Sequence, residues 1–427
     1  MTPNLRPGWT VLCGCFLLAA AWIVVAELPH SAAAQTSAGA GQLRVASPTD
    51  LTALGFKFDG APSCSSEKCH GAEKAVERPD FWGNEYTLWH GRKDPHHTAY
   101  RMLLNAQSKQ IAAKLNIPQA NKSARCTTCH TTDAAGPAGK DLQGKEYSAA
   151  EGVSCDSCHG PSQKWLEPHA QTGWIKQQRA ATKHGELLKT WGLFDTRPIP
   201  TRADRCVGCH LSTGADLVAA GHPQPIFEMN HFSNIYPDRH WRDNGAFTPP
   251  QLWATGQVAE LRETMLRLAT EASASASAPP PELKRAYERA LAHFTVTRLV
   301  LSKAESLDAS ERELATAMTK QDLAGVAKYA TAIAQQSEAI RPIAADFKPD
   351  PAAALAALSH VAADTTLATL GPDGQEQQAY AIEALAQAAG SDAVLKTVQS
   401  VLPKKPGEIV PPDQFAKGLQ DVRSKLH

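Results

Sequence analysis

Apolar positions change their spacing once along the chain, near residue 248. Beyond that point they recur at helical intervals. Leu252, Val258, Leu261, Met265 and Leu268 mark one face of a segment from Gln251 to Ala272, and Leu283, Tyr287, Leu291, Phe294 and Leu299 mark another from Glu282 to Lys303. Further helices are expected at Gln321–Ile340, Pro351–Val361, Gln375–Ala389 and Asp413–Leu426, with turns at Pro349–Pro351 and Gly371–Gly374 and a linker at Ser273–Pro281. From about Ala61 to Trp241 no period is sustained. Gly, Pro and short polar clusters there argue against long strands and for short helices and loops. The expected fold is mainly α, a loop-rich region followed by a C-terminal helical bundle.

The first residues follow a different pattern. Arg6 precedes an apolar run from Trp9 to Ala26, and small residues follow from Ser31 to Ala34. This predicts a secretory signal peptide over 1–34, cut after Ala34, with an uncleaved N-terminal membrane anchor as the alternative. Residues 35–57, rich in Ser, Ala, Gly and Thr, read as a linker. Residues 58–248 and 249–427 then form the loop-rich and the helical domain.

Lys plus Arg equals Asp plus Glu at 43 each, so no basic surface for nucleic acid is expected. Aromatics make up only 6 % of the chain, little for a loop-rich region to build a core from. The cysteines change that picture. Of ten, Cys13 and Cys15 fall in the N-terminal apolar run, and eight form four stretches: Cys64-x4-Cys69-His70, Cys126-x2-Cys129-His130, Cys155-x2-Cys158-His159 and Cys206-x2-Cys209-His210. Each ends in Cys-His, the pattern of c-type haem attachment, in which two thiols add to the vinyl groups and the adjacent His binds the iron. Zinc half-sites or disulfides would not require a His after every second Cys. Four covalently attached haems c are therefore expected, and they supply the missing core. His70, His130, His159 and His210 are the proximal ligands.

Distal ligands are less plainly marked. Asp94-Pro95 reads as a helix start that places His97 in the first turn of a helix running through Leu103 and Leu104, and one of the pair His96-His97 is expected to face an iron. His169 follows Trp165 and the stiffening Pro168. His222 stands between Gly221 and Pro223, while His231 and His240 read equally as candidates for a fourth axial pair and as structural residues packing or hydrogen-bonding at a haem edge. His90 reads equally as a surface residue, His184 as exposed and His293 as a core or interface residue, while Met102 and Met229 read as packing.

From Cys64 to Trp241 the chain resembles the multihaem cytochromes related to cytochrome c554, bacterial electron carriers known as partners of hydroxylamine oxidoreductase. The carrying motifs are Cys64-x4-Cys69-His70-Gly71, Asp94-Pro-His-His97-Thr-Ala-Tyr100, Cys155-x2-Cys158-His159-Gly-Pro161 with Trp165 and His169, and Ala220-Gly-His222-Pro with Phe227-Glu228. The resemblance implies bis-His ligation at most irons and favours His97, His169 and His222 as distal ligands. Relatives often carry Asn-His-Asp before the Gly-His-Pro turn and one more Cys-x2-Cys-His in the C-terminal half. Here the former reads Gly214-Ala215-Asp216 and the latter is missing, which the loss of one haem with its ligand explains.

The expected function is electron transfer between redox partner proteins in the periplasm, where c-type haem is attached in bacteria. The alternative is a redox enzyme acting on a small nitrogen or sulfur compound at one five-coordinate haem, with Tyr100, Arg101, Asp238 and Arg239 as candidate proton donors. A third reading makes the C-terminal bundle a docking module.

Overall fold

The computed structural model describes residues 55–76, 81–132, 142–181, 186–235, 240, 246–275, 281–402 and 409–426. The expected leader and nearly all of the linker lie outside these residues, as do His184, Asp238 and Arg239. The fold is mainly α, and the pairing of Phe58 with Gln143 is the single β-bridge among the described residues.

The loop-rich region carries short helices: α1 (Ala99–Met102), α2 (Ala124–His130), α3 (Cys155–His159), α4 (Ile199–His210), α5 (Ala215–Ala219) and α6 (Met229–Ile235). Its own apolar clusters are small, such as Phe58 with Phe194, or Trp165 with Trp174 and Leu193. The bundle comprises α7 (Pro249–Ala274), α8 (Pro281–Val300), α9 (Asp308–Thr319), α10 (Leu323–Ser337), α11 (Arg341–Ala345), α12 (Pro351–Ala363), α13 (Gly371–Ala389), α14 (Asp392–Val398) and α15 (Pro412–Ser424). One core joins them from Trp253 to Val422. At about 1.5–3 kcal/mol for each large apolar side chain fully buried, this core is the main stabilising element of the C-terminal half.

Local chemistry explains the helix starts. Thr248 and Gln251 form a reciprocal capping box at α7, with Pro249 and Pro250 in the first turn. Asp350 accepts the Ala353 N–H at 2.8 Å to open α12, and Asp322 accepts the Gly325 N–H at 2.9 Å to open α10. The turn expected at Gly371–Gly374 is instead the first turn of α13, because Pro372 sits where a helix lacks need of an N–H donor. Helices α9, α11 and α14 were not marked by the apolar spacing; they are short and fill gaps between longer neighbours.

Helix α7 is the axle of the molecule. It packs on α8, α10, α11 and α13 of the bundle and on α4 and α6 of the loop-rich region. Its apolar stripe faces the bundle core, while Gln257, Glu260, Arg262 and Glu263 are buried on its other faces. A second cluster of Ile199, Ala203, Val207, Leu211, Phe227, Met229, Leu252 and Ala259 crosses the expected boundary near 248. Among the described residues no helix is long and apolar enough to cross a membrane.

Candidate functional site

Three of the four Cys-His stretches close a helix. In α2, α3 and α4 the second Cys and the His are the last two residues, and the first Cys lies three residues before the second. That spacing puts both thiols and the imidazole on one side of a helical turn. The first stretch, with four residues between its cysteines, is no helix. It is a turn in which the His70 N–H reaches the Cys64 carbonyl at 3.3 Å, so the extra residues loop out and the ends still meet.

The stretches are packed together. The Cys64 and Cys155 thiols lie close enough to raise the Cys155 thiol, and the Gly60 N–H donates to Asp156 at 3.0 Å, joining the first stretch to α3. Arg205 of α4 donates to the Ser157 carbonyl of α3. Burial pushes the Cys158 thiol up to about 11 and Cys206 up to about 12, each also raised by the other helix's sulfurs. The His130 Nδ1 reaches the Ala99 carbonyl of α1 at 2.9 Å, which ties α2 to the segment carrying His96 and His97.

Three of the four attachment His are met by a second imidazole. The rings of His70 and His169 are 6.3 Å apart and nearly parallel, at 3°. Those of His130 and His222 are 6.1 Å apart at 82°, and those of His210 and His96 are 6.1 Å apart at 79°. His159 is most strongly influenced, after its burial, by His240. An imidazole nitrogen about 2.0 Å from a metal, on a ring of about 1.1 Å radius, puts the centroids of two trans imidazoles about 6.2 Å apart. The three observed separations fit an iron between the rings of those pairs.

Hydrogen bonds orient the rings to the same end. Nδ1 is engaged by Glu85 at 2.9 Å in His70, by Asp94 at 2.8 Å in His96, by the Trp165 carbonyl at 3.1 Å in His169 and by the Pro223 carbonyl at 2.6 Å in His222. His210 donates to the Ile226 carbonyl. An Nδ1–H held by an acceptor leaves Nε2 as the free electron pair, the arrangement that metal-bound histidines show. Burial brings His159 down to about 3 and His210 and His240 to about 4, so these imidazoles are neutral, the form that ligates. The donor set and the spacing both fit haem c, which when bound supplies a reversible ferric–ferrous couple.

Two of the expected distal residues have other neighbours than an attachment His. His97, in the first turn after Asp94-Pro95 as expected, is buried with its ring 4.5 Å from Trp89 and edge-on to it, and 5.0 Å from His90. Its neighbour His96 faces His210 instead. The segment Pro95–Thr98 is a 3₁₀ turn, and Asp94 holds both the His96 N–H and its ring, which turns His96 rather than His97 toward α4. His231 bonds Glu383 of the bundle at 3.0 Å and is an inter-domain residue. His293 is buried against Gln257, and Met229 is packed in the core that joins the two regions. Met102 is exposed.

The two remaining facing residues stand on shaped turns. His169 follows Pro168 in a short 3₁₀ turn, with Trp165 edge-on at 5.1 Å. His222 follows Gly221, whose φ of 108° belongs to the region that favours glycine, and Lys114 and Gln107 donate to the carbonyls of Ala220 and Gly221 to hold that turn. Glu85 and Asp94 are the residues that sequence reasoning missed as ring orienters. Asp94 was visible only as a helix cap, and nothing near Glu85 signals its contact with a His fifteen positions away.

Residues 63–160 match the family model for cytochrome c554 and c-prime, which covers the first three Cys-His stretches and the His96-His97 segment. No curated protein and no solved structure matches the chain. Family match and attachment stretches agree that the chain carries covalently bound haem c, and the protein is a c-type cytochrome, an electron carrier related to the cytochrome c554 family.

Proposed function

We propose that this is a periplasmic tetrahaem cytochrome that passes electrons between redox partner proteins. Cys64/Cys69, Cys126/Cys129, Cys155/Cys158 and Cys206/Cys209 hold the four haems, with His70, His130, His159 and His210 as proximal ligands. His169, His222, His240 and His96, in that order, are the distal ligands. The observation that carries this reading is the meeting of His70, His130 and His210 each with a second imidazole at ring separations suited to an intervening iron, with His240 acting electrostatically on His159.

Contacts between the stretches suggest the electron path. The proximity of the Cys64 and Cys155 sulfurs makes the first and third haems neighbours, and that of the Cys158, Cys206 and Cys209 sulfurs brings the third and fourth together. The second haem adjoins the fourth through the His96–Ala99 segment, which serves both His210 and His130. Two His ligands favour a lower potential than a His/Met pair, so the carrier works at the reducing end of the c-type range.

A pyridine haemochrome assay on the exported protein tests the count, and electron paramagnetic resonance of the oxidised form tests the ligation. Four low-spin ferric haems are expected. One high-spin haem that binds nitric oxide or cyanide would overturn bis-His ligation at that iron and favour an enzyme.

A further inference from the structure

The segment after His222 carries Phe227, whose ring is 5.2 Å from that of His210, and next to it Glu228, which has no exposed surface. Glu228 accepts the N–H groups of Asn230 at 2.7 Å and His231 at 2.6 Å and so starts α6. Glu260 of α7, equally buried, approaches the start of α6, its Oε1 lying 3.1 Å from where a Cβ on Gly256 would stand. This approach needs the glycine at 256, since a Cβ there would lie 2.4 Å from the Met229 Cβ. From α13, Glu383 holds His231 and adds a third carboxylate within electrostatic reach of Glu228.

The other charged or titratable groups facing this cluster are few. On α8, His293 has its Nδ1 3.4 Å from Glu260, and Arg289 is drawn away toward Asp373 and the Pro225 carbonyl. On α13, Glu376 and Tyr380 face it, and Glu376 is itself raised, by burial first and then by Asp373. Gln257 links Glu260 at 2.7 Å to Gln377 at 2.7 Å, and His293 reaches Gln257 at 3.1 Å. With His231 pairing Glu383 and Arg289 acting on Glu260 only from its place beside Asp373, Glu228 and Glu260 in a site this dry cannot both be ionised.

We propose that the Glu228–Glu260 pair is a proton-binding site coupled to the haem at His210, taking up one proton from bulk water for each electron that a donor protein delivers to that haem. The inference rests on the reading of His210 as an axial ligand. When a donor protein reduces the haem that His210 would hold, one carboxylate of the pair would take a proton from bulk water and become a carboxylic acid through a new O–H bond, so that the region's net charge would not change. Reoxidation returns the electron to an acceptor protein and the proton to water. Electrostatic compensation is the physical reason for the coupling, because an added electron in a low-dielectric interior raises the proton affinity of buried acids around it.

Two features support the site. Burial, and then the charge of Glu383, push Glu228 up to about 7, while burial and the charge of Glu228 raise Glu260 further. His231 and Glu383, with side chains 19 % and 10 % exposed, connect the pair to solvent.

The test is spectroelectrochemical titration of the full haem-loaded chain between about pH 6 and about pH 8, with proton uptake on reduction followed by an indicator dye. One haem potential should fall with rising pH toward tenfold in equilibrium constant per pH unit, about 59 mV, with matching proton uptake. In Glu228→Gln and Glu260→Gln both the slope and the uptake should drop. An unchanged slope in both variants would assign the proton to the haem propionates and overturn the proposal. Should the variants not fold, the unaltered protein labelled with carbon-13 glutamate decides: its reduced-minus-oxidised infrared spectrum should contain a carboxyl band that shifts with the label, and a band that does not shift overturns the proposal. The haemochrome count and spin state test the haem assignment separately. A flat pH profile in a protein with four low-spin haems would sink the coupling alone.

Discussion

Asp204 of α4 and Arg262 of α7 meet at 2.7 Å with side chains only 1 % and 2 % exposed. Arg341 of α11 also holds Asp204, and Glu338 holds Arg262 at 2.9 Å. The helix that ends in Cys206-x2-Cys209-His210 is thereby fixed to the bundle by a buried charge network. Removing one partner of such a pair leaves an uncompensated buried charge, so Asp204→Ala should lose about 3–5 kcal/mol of stability in urea unfolding. Arg262→Met should cost less, because Arg341 still neutralises Asp204. An Asp204→Ala protein as stable as the parent would disprove this account of how the halves are joined.

His96 and His97 should part company when each is replaced. His96→Ala removes the ring facing His210 and should turn one haem high-spin, read by electron paramagnetic resonance. His97→Ala should leave all haems low-spin and instead lower stability by about 1–3 kcal/mol, through the gap beside Trp89. The reverse pattern would restore His97 as the ligand.

Asp94→Asn exchanges a carboxylate for an amide at the His96 Nδ1. Ligand orienters typically matter 10–100-fold in metal affinity, about 1.4–2.7 kcal/mol. A less basic imidazole stabilises ferric iron less, so one haem potential should rise in redox titration while the other three stay put. A fall, or no change, would count against the role given to Asp94.

His231 links α6 to α13 through Glu383. Burial lowers its proton affinity, but Glu383 more than offsets this and the net direction is upward. A histidine raised above its unfolded value near 6.5 binds its proton more tightly in the folded state. The resulting stability is complete below the unfolded pKa and is lost as pH rises through the folded one. The urea midpoint should therefore fall as pH rises above about 6.5, and His231→Gln should flatten that part of the profile. Equal slopes in parent and variant would exclude His231 as the source.

Gly256→Ala should destabilise by about 1–3 kcal/mol, since the added methyl meets Met229 and must push α6 away from α7. Thermal unfolding measures the loss, and no change in melting temperature would mean that the helices separate without cost.

Covalent attachment was legible from sequence alone because its chemistry is local: two thiols and an imidazole within five residues on one helical turn, as in Cys155 to His159. The long bundle helices were legible for a similar reason, their apolar period and caps being written in consecutive residues such as Thr248 to Leu268. What lies across from each attachment His was decided by tertiary structure. Whether His96 or His97 faces α4 depends on a 3₁₀ turn and one Asp94 hydrogen bond, and His231 is claimed by a glutamate 152 positions away. The buried acids of α7 were likewise invisible as a cluster, since Glu260 reads as an ordinary polar position on an amphipathic helix. Local spacing determines which residues share a turn. Only the packed chain determines which turns share a space, and there the distal sides of the irons and the charge beside them are set.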